Sequence, residues 1–449
     1  MKPTLNPPLD ETITGVLPQI FARRLSSRDL VERCLSRIDE RELEIQAWIQ
    51  MDRAGTLAQA DRLDARLSNG EAPGPLQGIP IGIKDLIDVA GFPTGAGSEL
   101  RSLNIVERDA EVVARLRNAG AVILGKTVTT QFGCFDPPPT RNPWNRDRTP
   151  GGSSSGSAAA TTAGMCFAAL GSQTGGSVIR PASFNGLCGY KPTRGAISTA
   201  GAVPVSAYLD HIGPMAHTVD DVYRIAAVLH DGLPPLGPED SLIASANERA
   251  GTSRVFAPRL GRLRHFFEEK AEPVMLARFE QTLEHLSGAG AVVADSPWPA
   301  SFAQVWSCHR TIMLADMTAY HRHTLVRHPD DFKPGIRGLL QEGLTLKAVD
   351  YLHALEHQRK FTSEINAALD DFDVLVSPAA RGPAPTPETT GDPAFNAPFS
   401  YSGQPVVTIP MGLAPDGLPL GLQLIGKSGN DEHLFRIAAW CEQQLRSGM

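Results

Sequence analysis

Nine lysines stand among the 42 basic residues of this 449-residue chain, and two of them, Lys84 and Lys126, directly follow apolar, strand-like runs. A lysine that ends such a run either reaches water along its stem or is buried, and a buried ammonium gives up its proton more readily. Lowering a lysine from about 10.4 to about 7.5 takes roughly 4 kcal/mol of desolvation or like-charge repulsion, and the amine is then a base at neutral pH. Two glycine-serine clusters supply hydroxyls for such a base. One is Gly151-Gly152-Ser153-Ser154-Ser155-Gly156-Ser157 and the other is Thr174-Gly175-Gly176-Ser177. Gly175 and Gly176 let consecutive backbone N–H groups turn toward one point, which is how an oxyanion hole is built, so Ser177 is a candidate nucleophile. A glycine-rich turn is the plain alternative.

Other groupings carry weaker chemistry. Gly152-Ser153-Ser154-Ser155-Gly156 matches a nucleophile elbow centred on Ser154, but the elbow needs a preceding strand and a proline-rich loop, Pro137 to Pro150, comes before it. His353-Ala354-Leu355-Glu356-His357 matches the H-x-x-E-H pattern of zinc peptidases, yet Arg359 and Lys360 follow on the same helix, which reads as a solvated face. His321-Arg322-His323 has no partner pattern and reads as surface.

The elements that must position these residues alternate between strand and helix. Ser26-Ser27-Arg28-Asp29 reads as a capping box, and Leu30, Val31, Cys34, Leu35 and Ile38 recur at helical spacing behind it. Helices are predicted over Thr56 to Leu67 and Ala110 to Ala119, and strands over Gly78 to Asp85 and Ala121 to Leu124. No charge falls between Gly151 and Ile179. Ser157 to Leu170 reads there as one buried helix holding the two clusters in contact. Farther on come a long helix over Leu346 to Leu369, a strand over Asp373 to Ser377, and paired strands Val406 to Leu413 and Leu420 to Ile425 turning at Asp416-Gly417. The rhythm is that of an α/β fold.

Composition excludes several classes. The net charge is −7, with no run of five or six basic residues, which argues against a nucleic-acid partner. Cys34, Cys134, Cys166, Cys188, Cys308 and Cys441 form no C-x-x-C pair, so neither a disulfide framework nor a zinc knuckle is expected and a reducing, cytoplasmic setting is the default. Met1 to Thr14 has no apolar stretch of signal-peptide type, and the uncharged stretch is too polar to face lipid.

Taken together, the motifs resemble those of the amidase signature hydrolases. Leu76-Gln77-Gly78-Ile79-Pro80-Ile81-Gly82-Ile83-Lys84-Asp85 is similar to the family's lysine motif, Pro150 to Ala160 to its glycine-serine signature, and Gln173-Thr174-Gly175-Gly176-Ser177-Val178-Ile179-Arg180-Pro181-Ala182 to its nucleophile motif. The resemblance covers about residues 27–229 and 361–445 and implies a single domain over 1–449. Its expected architecture is a large mixed central sheet covered by helices on both faces. The variable region, about 232–346, together with Gln131 to Asp136, would wall the substrate pocket.

The same resemblance implies a Ser–cis-Ser–Lys triad. Ser177 would be the nucleophile, Ser153 the bridging serine behind a cis Gly152–Ser153 peptide, and Lys84 the base. Thr174, Gly175, Gly176 and Ser177 would hold the oxyanion through their N–H groups. Gln131, Phe132 and Gly133 are expected at the substrate, and so is Arg180, because the run Gln173 to Arg180 is similar to that of malonamidases, in which this arginine binds a substrate carboxylate. Many members carry aspartate at Gln173 and arginine at His217. The implied reaction is hydrolysis of a small amide, with carbamates (urethanes) and anilides as related substrates and no metal or organic cofactor. The alternatives are the amidase component of a tRNA-dependent amidotransferase and an inactive scaffold of the same fold. No membrane contact is expected, and a homodimer is left open as the assembly.

Overall fold

The structure is a computed structural model that describes residues 3–244 and 257–448. Its centre is one mixed sheet of eleven strands. In chain order these are β1 (Trp48–Met51), β2 (Pro80–Lys84), β3 (Val122–Thr127), β4 (Ala168–Gln173), β5 (Cys188–Lys191), β6 (His211–Ala216), β7 (Arg259–Arg262), β8 (Val292–Asp295), β9 (Val374–Pro378), β10 (Val406–Leu413) and β11 (Pro419–Ile425). Their spatial order is β1-β3-β2-β4-β6-β5-β10-β11-β9-β7-β8. The strands β3, β2 and β4 run parallel, β7, β8 and β9 run parallel, and the remaining pairings are antiparallel.

Both faces of the sheet are covered, because side chains that alternate along a strand enter different cores. Val374 and Val376 of β9 join one hydrophobic cluster while Leu375 joins the other; Leu420, Leu422 and Leu424 of β11 join the first and Ile425 the second. The helix Asp431–Gly448 contributes Phe435, Ile437 and Cys441 to the first cluster. The helices Val305–Arg327 and Ala348–Ala368 build the second with Ile312, Leu314 and Phe361. The predicted capping box is present: Ser26 accepts from Asp29 N, and the Asp29 carboxylate accepts from Ser26 N at 2.9 Å, opening the helix Ser27–Ile45. The turn between β10 and β11 closes at Gly417, whose φ of 80° suits glycine.

The segment after the first glycine-serine cluster differs from the expected single helix. It is a short helix, Ser155–Thr162, followed by β4. Gly164 stops the helix in the left-handed region, with its own N–H on Thr161 O and the Met165 N–H on Ala160 O, the two bonds of a Schellman cap. Small residues let this helix sit hard against the sheet. A Cβ on Gly156 would lie 2.2 Å from Ala47 O and 2.4 Å from Val128 N. Serine hydroxyls pair with carbonyls in that dry space: Ser155 Oγ donates to Gly151 O at 2.6 Å and Ser157 Oγ to Leu170 O at 2.9 Å. The middle section also adds β7 and β8 to the sheet edge; both are short and partly charged, which hides them from an apolar-periodicity reading.

Candidate active site

Because β2, β3 and β4 are parallel, their C-terminal ends reach the same edge of the sheet, where ligand sites of α/β sheets form. Lys84 is the last residue of β2 and Gln173 the last of β4. The strand β6 runs antiparallel to β4 with His211 opposite Gln173, so Asp210, just before β6, arrives at that edge as well. The first glycine-serine cluster descends onto it, and its Gly152–Ser153 peptide is cis.

Lys84 is fully buried there. Its Nζ lies 2.7 Å from Ser153 Oγ and 2.9 Å from Ser172 Oγ. Burial is the main cause that drives the Lys84 amine down to about 7; the nearby Asp210 carboxylate opposes this and the Arg180 guanidinium adds to it. Near neutrality a large share of the amine is therefore uncharged and can take a proton from Ser153. Asp210 is pushed up to about 6 by burial, against hydrogen bonds from Thr174 Oγ1 and from the backbone N–H groups of Ser206 and Val205.

The loop Thr174 to Val178 follows β4. Gln173 Oε1 accepts from Val178 N at 2.9 Å and Ile179 N at 3.0 Å, which secures the start of the helix Ile179–Asn185. Its Nε2 donates to Ser400 Oγ at 3.0 Å. A neutral amide performs both tasks, whereas a carboxylate only accepts. Among the described residues, no protein acceptor takes the backbone N–H of Thr174, Gly175, Gly176 or Ser177. A Cβ on Gly176 would lie 2.5 Å from Asn396 Oδ1 and 2.7 Å from Arg180 Nη1, so a larger residue would have to displace both side chains.

Thr174, Gly175, Gly176 and Ser177 border a cavity of about 210 Å³ that Ser153 and Arg180 also line. Phe135, Val205, Trp306, Met313, Pro393 and Ala397 supply apolar walls, and among the described residues no acidic side chain lines it. Arg180 is buried; its Nη2 donates to Gly152 O at 2.7 Å and its Nε to Thr390 O at 2.9 Å, while Nη1 has no partner among the described residues.

Of the stretch expected at the substrate, Gly133 lines the cavity but Gln131 and Phe132 lie behind its wall. Both Gln131 amide atoms bind backbone, Nε2 to Asp331 O at 2.6 Å and Oε1 to Lys333 N at 2.7 Å. Phe132 packs on His321 and Phe332, with ring centroids 4.4 and 5.4 Å away. His321 is thus a core residue rather than a surface one, and burial holds its imidazole down at about 4. His353 is exposed, but His357 is buried with Nδ1 on Tyr401 Oη and Nε2 on Ser301 O, so neither nitrogen is left for a metal. Ser154 is buried, its Oγ bonded to the backbone of Ser172, away from the cavity. Sequence reasoning missed Ser172, Asp210, His309 and Ser400. Ser172 alone left a signal, as a polar residue ending the apolar run Ala168 to Gly171.

A family model described as Amidase matches residues 29–435. Putative amidase AmiD of Mycobacterium tuberculosis is 34% identical, covering 96% of this chain and 94% of its own. A glutamyl-tRNA(Gln) amidotransferase subunit of Acidothermus cellulolyticus is 32% identical, covering 97% and 94%. The crystal structure of a peptide amidase from Stenotrophomonas maltophilia superposes with a TM-score of 0.83 at 28% identity, covering 98% of both chains.

Proposed function

Because the chain belongs to the amidase signature family and is a hydrolase acting on amides, we propose that it cleaves the C–N bond of small amides through an acyl-enzyme on Ser177. The observation that carries this reading is the 2.7 Å contact between Lys84 Nζ and Ser153 Oγ, buried beside the cavity that the Thr174–Ser177 loop lines. Ser177 Oγ attacks the carbonyl carbon and passes its proton to Ser153, which passes its own to neutral Lys84. The new oxyanion is held by the free N–H groups of the Thr174–Ser177 loop. Collapse breaks the C–N bond, and the proton returns through Ser153 to the leaving nitrogen. Water repeats the cycle on the ester and frees Ser177.

The cavity fits a small, largely apolar amide or anilide. Carbamates present the same carbonyl and belong to the same proposal. Arg180 in the cavity wall favours an acyl group that carries an acceptor, a carboxylate included. A glutaminase role within an amidotransferase is the second reading, prompted by the relatives of that name. Free glutamine could offer its α-carboxylate to Arg180, but its α-ammonium meets a cavity wall with no acidic side chain among the described residues, which disfavours it.

The test is a hydrolysis panel of malonamate, short aliphatic amides, 4-nitroacetanilide, ethyl carbamate and glutamine, with Ser177→Ala and Lys84→Ala as controls. Turnover of at least one non-glutamine substrate, lost in both folded variants, is the expected result. Near-normal turnover in either variant would refute the mechanism, and activity on glutamine alone would favour the second reading. An active site that a fluorophosphonate fails to label would point to an inactive scaffold.

A further inference from the structure

Three successive carbonyls of the loop leading to Ser177 are each bound by a side chain from elsewhere in the fold. His211 Nδ1 lies 3.3 Å from Gln173 O, His309 Nε2 lies 2.9 Å from Thr174 O, and Ser400 Oγ donates to Gly175 O at 2.6 Å. A carbonyl only accepts, so in each histidine the nitrogen facing the loop carries the proton. Burial lowers the pKa of both imidazoles and keeps them neutral. Ser400 is held in turn, since it accepts from Gln173 Nε2 at 3.0 Å and so has its own hydrogen free for Gly175.

In a trans peptide the N–H points opposite to the carbonyl of the same unit. Anchoring Thr174 O therefore directs the Gly175 N–H away from His309, and anchoring Gly175 O directs the Gly176 N–H away from Ser400. Glycine at 175 and 176 leaves these peptides little steric preference for one orientation, so the hydrogen bonds decide it. A flipped peptide would present a carbonyl oxygen to the developing oxyanion, which is repulsive. His309 comes from the helix Val305–Arg327, in the section that also walls the cavity, and Ser400 from the helix Ala397–Ser402.

We propose that His309 and Ser400 are positioning residues that hold the oxyanion hole preformed by fixing the Thr174 and Gly175 carbonyls. The proposal rests on Ser177 being the nucleophile. Its test is the rate constant for phosphonylation of Ser177 by a fluorophosphonate, whose P=O oxygen occupies the same hole, measured on the full chain together with Tm. Direct loss of an oxyanion donor costs about 10²–10³-fold, so loss of an anchor is expected to cost about tenfold in His309→Leu and in Ser400→Ala. His309→Gln carries an amide N–H to the position of imidazole Nε2 and is expected to recover to within about threefold of wild type. In Ser400→Ala, reversible affinity for the reagent changes by less than about twofold, because the hole acts on the negative charge that builds on the P=O oxygen in the pentacoordinate transition state. Wild-type labelling rates in His309→Leu and Ser400→Ala overturn the proposal. So does a His309→Gln variant as slow as His309→Leu with both retaining the wild-type Tm. Should His309→Leu fail to fold, Ser400→Ala and His309→Gln carry the comparison. An unlabelled Ser177 in the wild-type chain overturns the nucleophile assignment, and the proposal with it.

Discussion

Lys84 makes both activity and stability rise with pH, over adjoining windows, and one variant separates the two. With the amine at about 7, the neutral fraction is about one-tenth at pH 6 and about nine-tenths at pH 8, so kcat/KM rises through a single limb centred near pH 7. The same shift costs stability. Moving the group from 10.5 to about 7 amounts to about 5 kcal/mol. Between those two values the unfolded chain binds the proton and the folded chain does not, so stability rises with pH across that window. The penalty is complete below pH 7 and gone above pH 10.5. Lys84→Met removes this titration while filling a similar volume. It abolishes turnover, and the stability of wild type relative to the variant climbs by about 2 kcal/mol between pH 7 and pH 9. The assays are a pH profile of kcat/KM and urea denaturation of both proteins at pH 7, 8 and 9. A profile flat from pH 5.5 to 8.5, or a stability gap equal at pH 7 and pH 9, would refute a buried, depressed lysine. Asp210→Asn supplies a further sign: that carboxylate raises the Lys84 pKa, so its removal moves the limb to lower pH.

Three other perturbations follow from named contacts. Lys126→Met strands Asp85, whose Oδ1 lies 3.0 Å from Lys126 Nζ with both side chains buried; a loss of about 3–5 kcal/mol is expected by denaturation, and an unchanged midpoint would deny the pair its role. Gly156→Ala drives a methyl into Ala47 O and Val128 N, and because both atoms are backbone the helix must shift. A drop in Tm with lost activity is expected, and a wild-type Tm would show that residue 156 does not abut the backbone of Ala47 and Val128. Gln173→Glu keeps the acceptor for Val178 and Ile179 but removes the donor to Ser400. The serine hydroxyl then turns to the carboxylate, and kcat is expected to fall by about tenfold with KM little changed; unaltered kcat would mean that the Gly175 carbonyl needs no anchor.

Much of the site was legible because its chemistry is written in short local motifs. The isoleucine-rich run before Lys84, the glycines before Ser177 and the small residues after Ser153 each occupy one strand end, loop or helix, and alternation or capping exposes such elements in a single sequence. The same locality explains the misreadings. Ala168–Gln173 contains no β-branched residue and continues a small-residue helix in pattern, so only the Gly164 cap and pairing to β2 and β6 make it a strand. His321 lies on a polar-looking stretch, yet the helix turns it onto Phe132 and Phe332.

What the sequence by itself determined is which residue types are present for the chemistry and in what order: Lys84, Ser153, the Thr174–Ser177 loop and Arg180. The tertiary structure alone decided that Lys84 lies dry beside Ser153 and Ser172, that Arg180 clasps Gly152 O, and that His309 and Ser400 reach the loop across 135 and 225 residues of chain. The physical reason is that burial and peptide orientation are set by packing between distant segments. Periodicity reports only which face of its own element a residue occupies, and neither the desolvation of an amine nor the direction of a glycine peptide is encoded there.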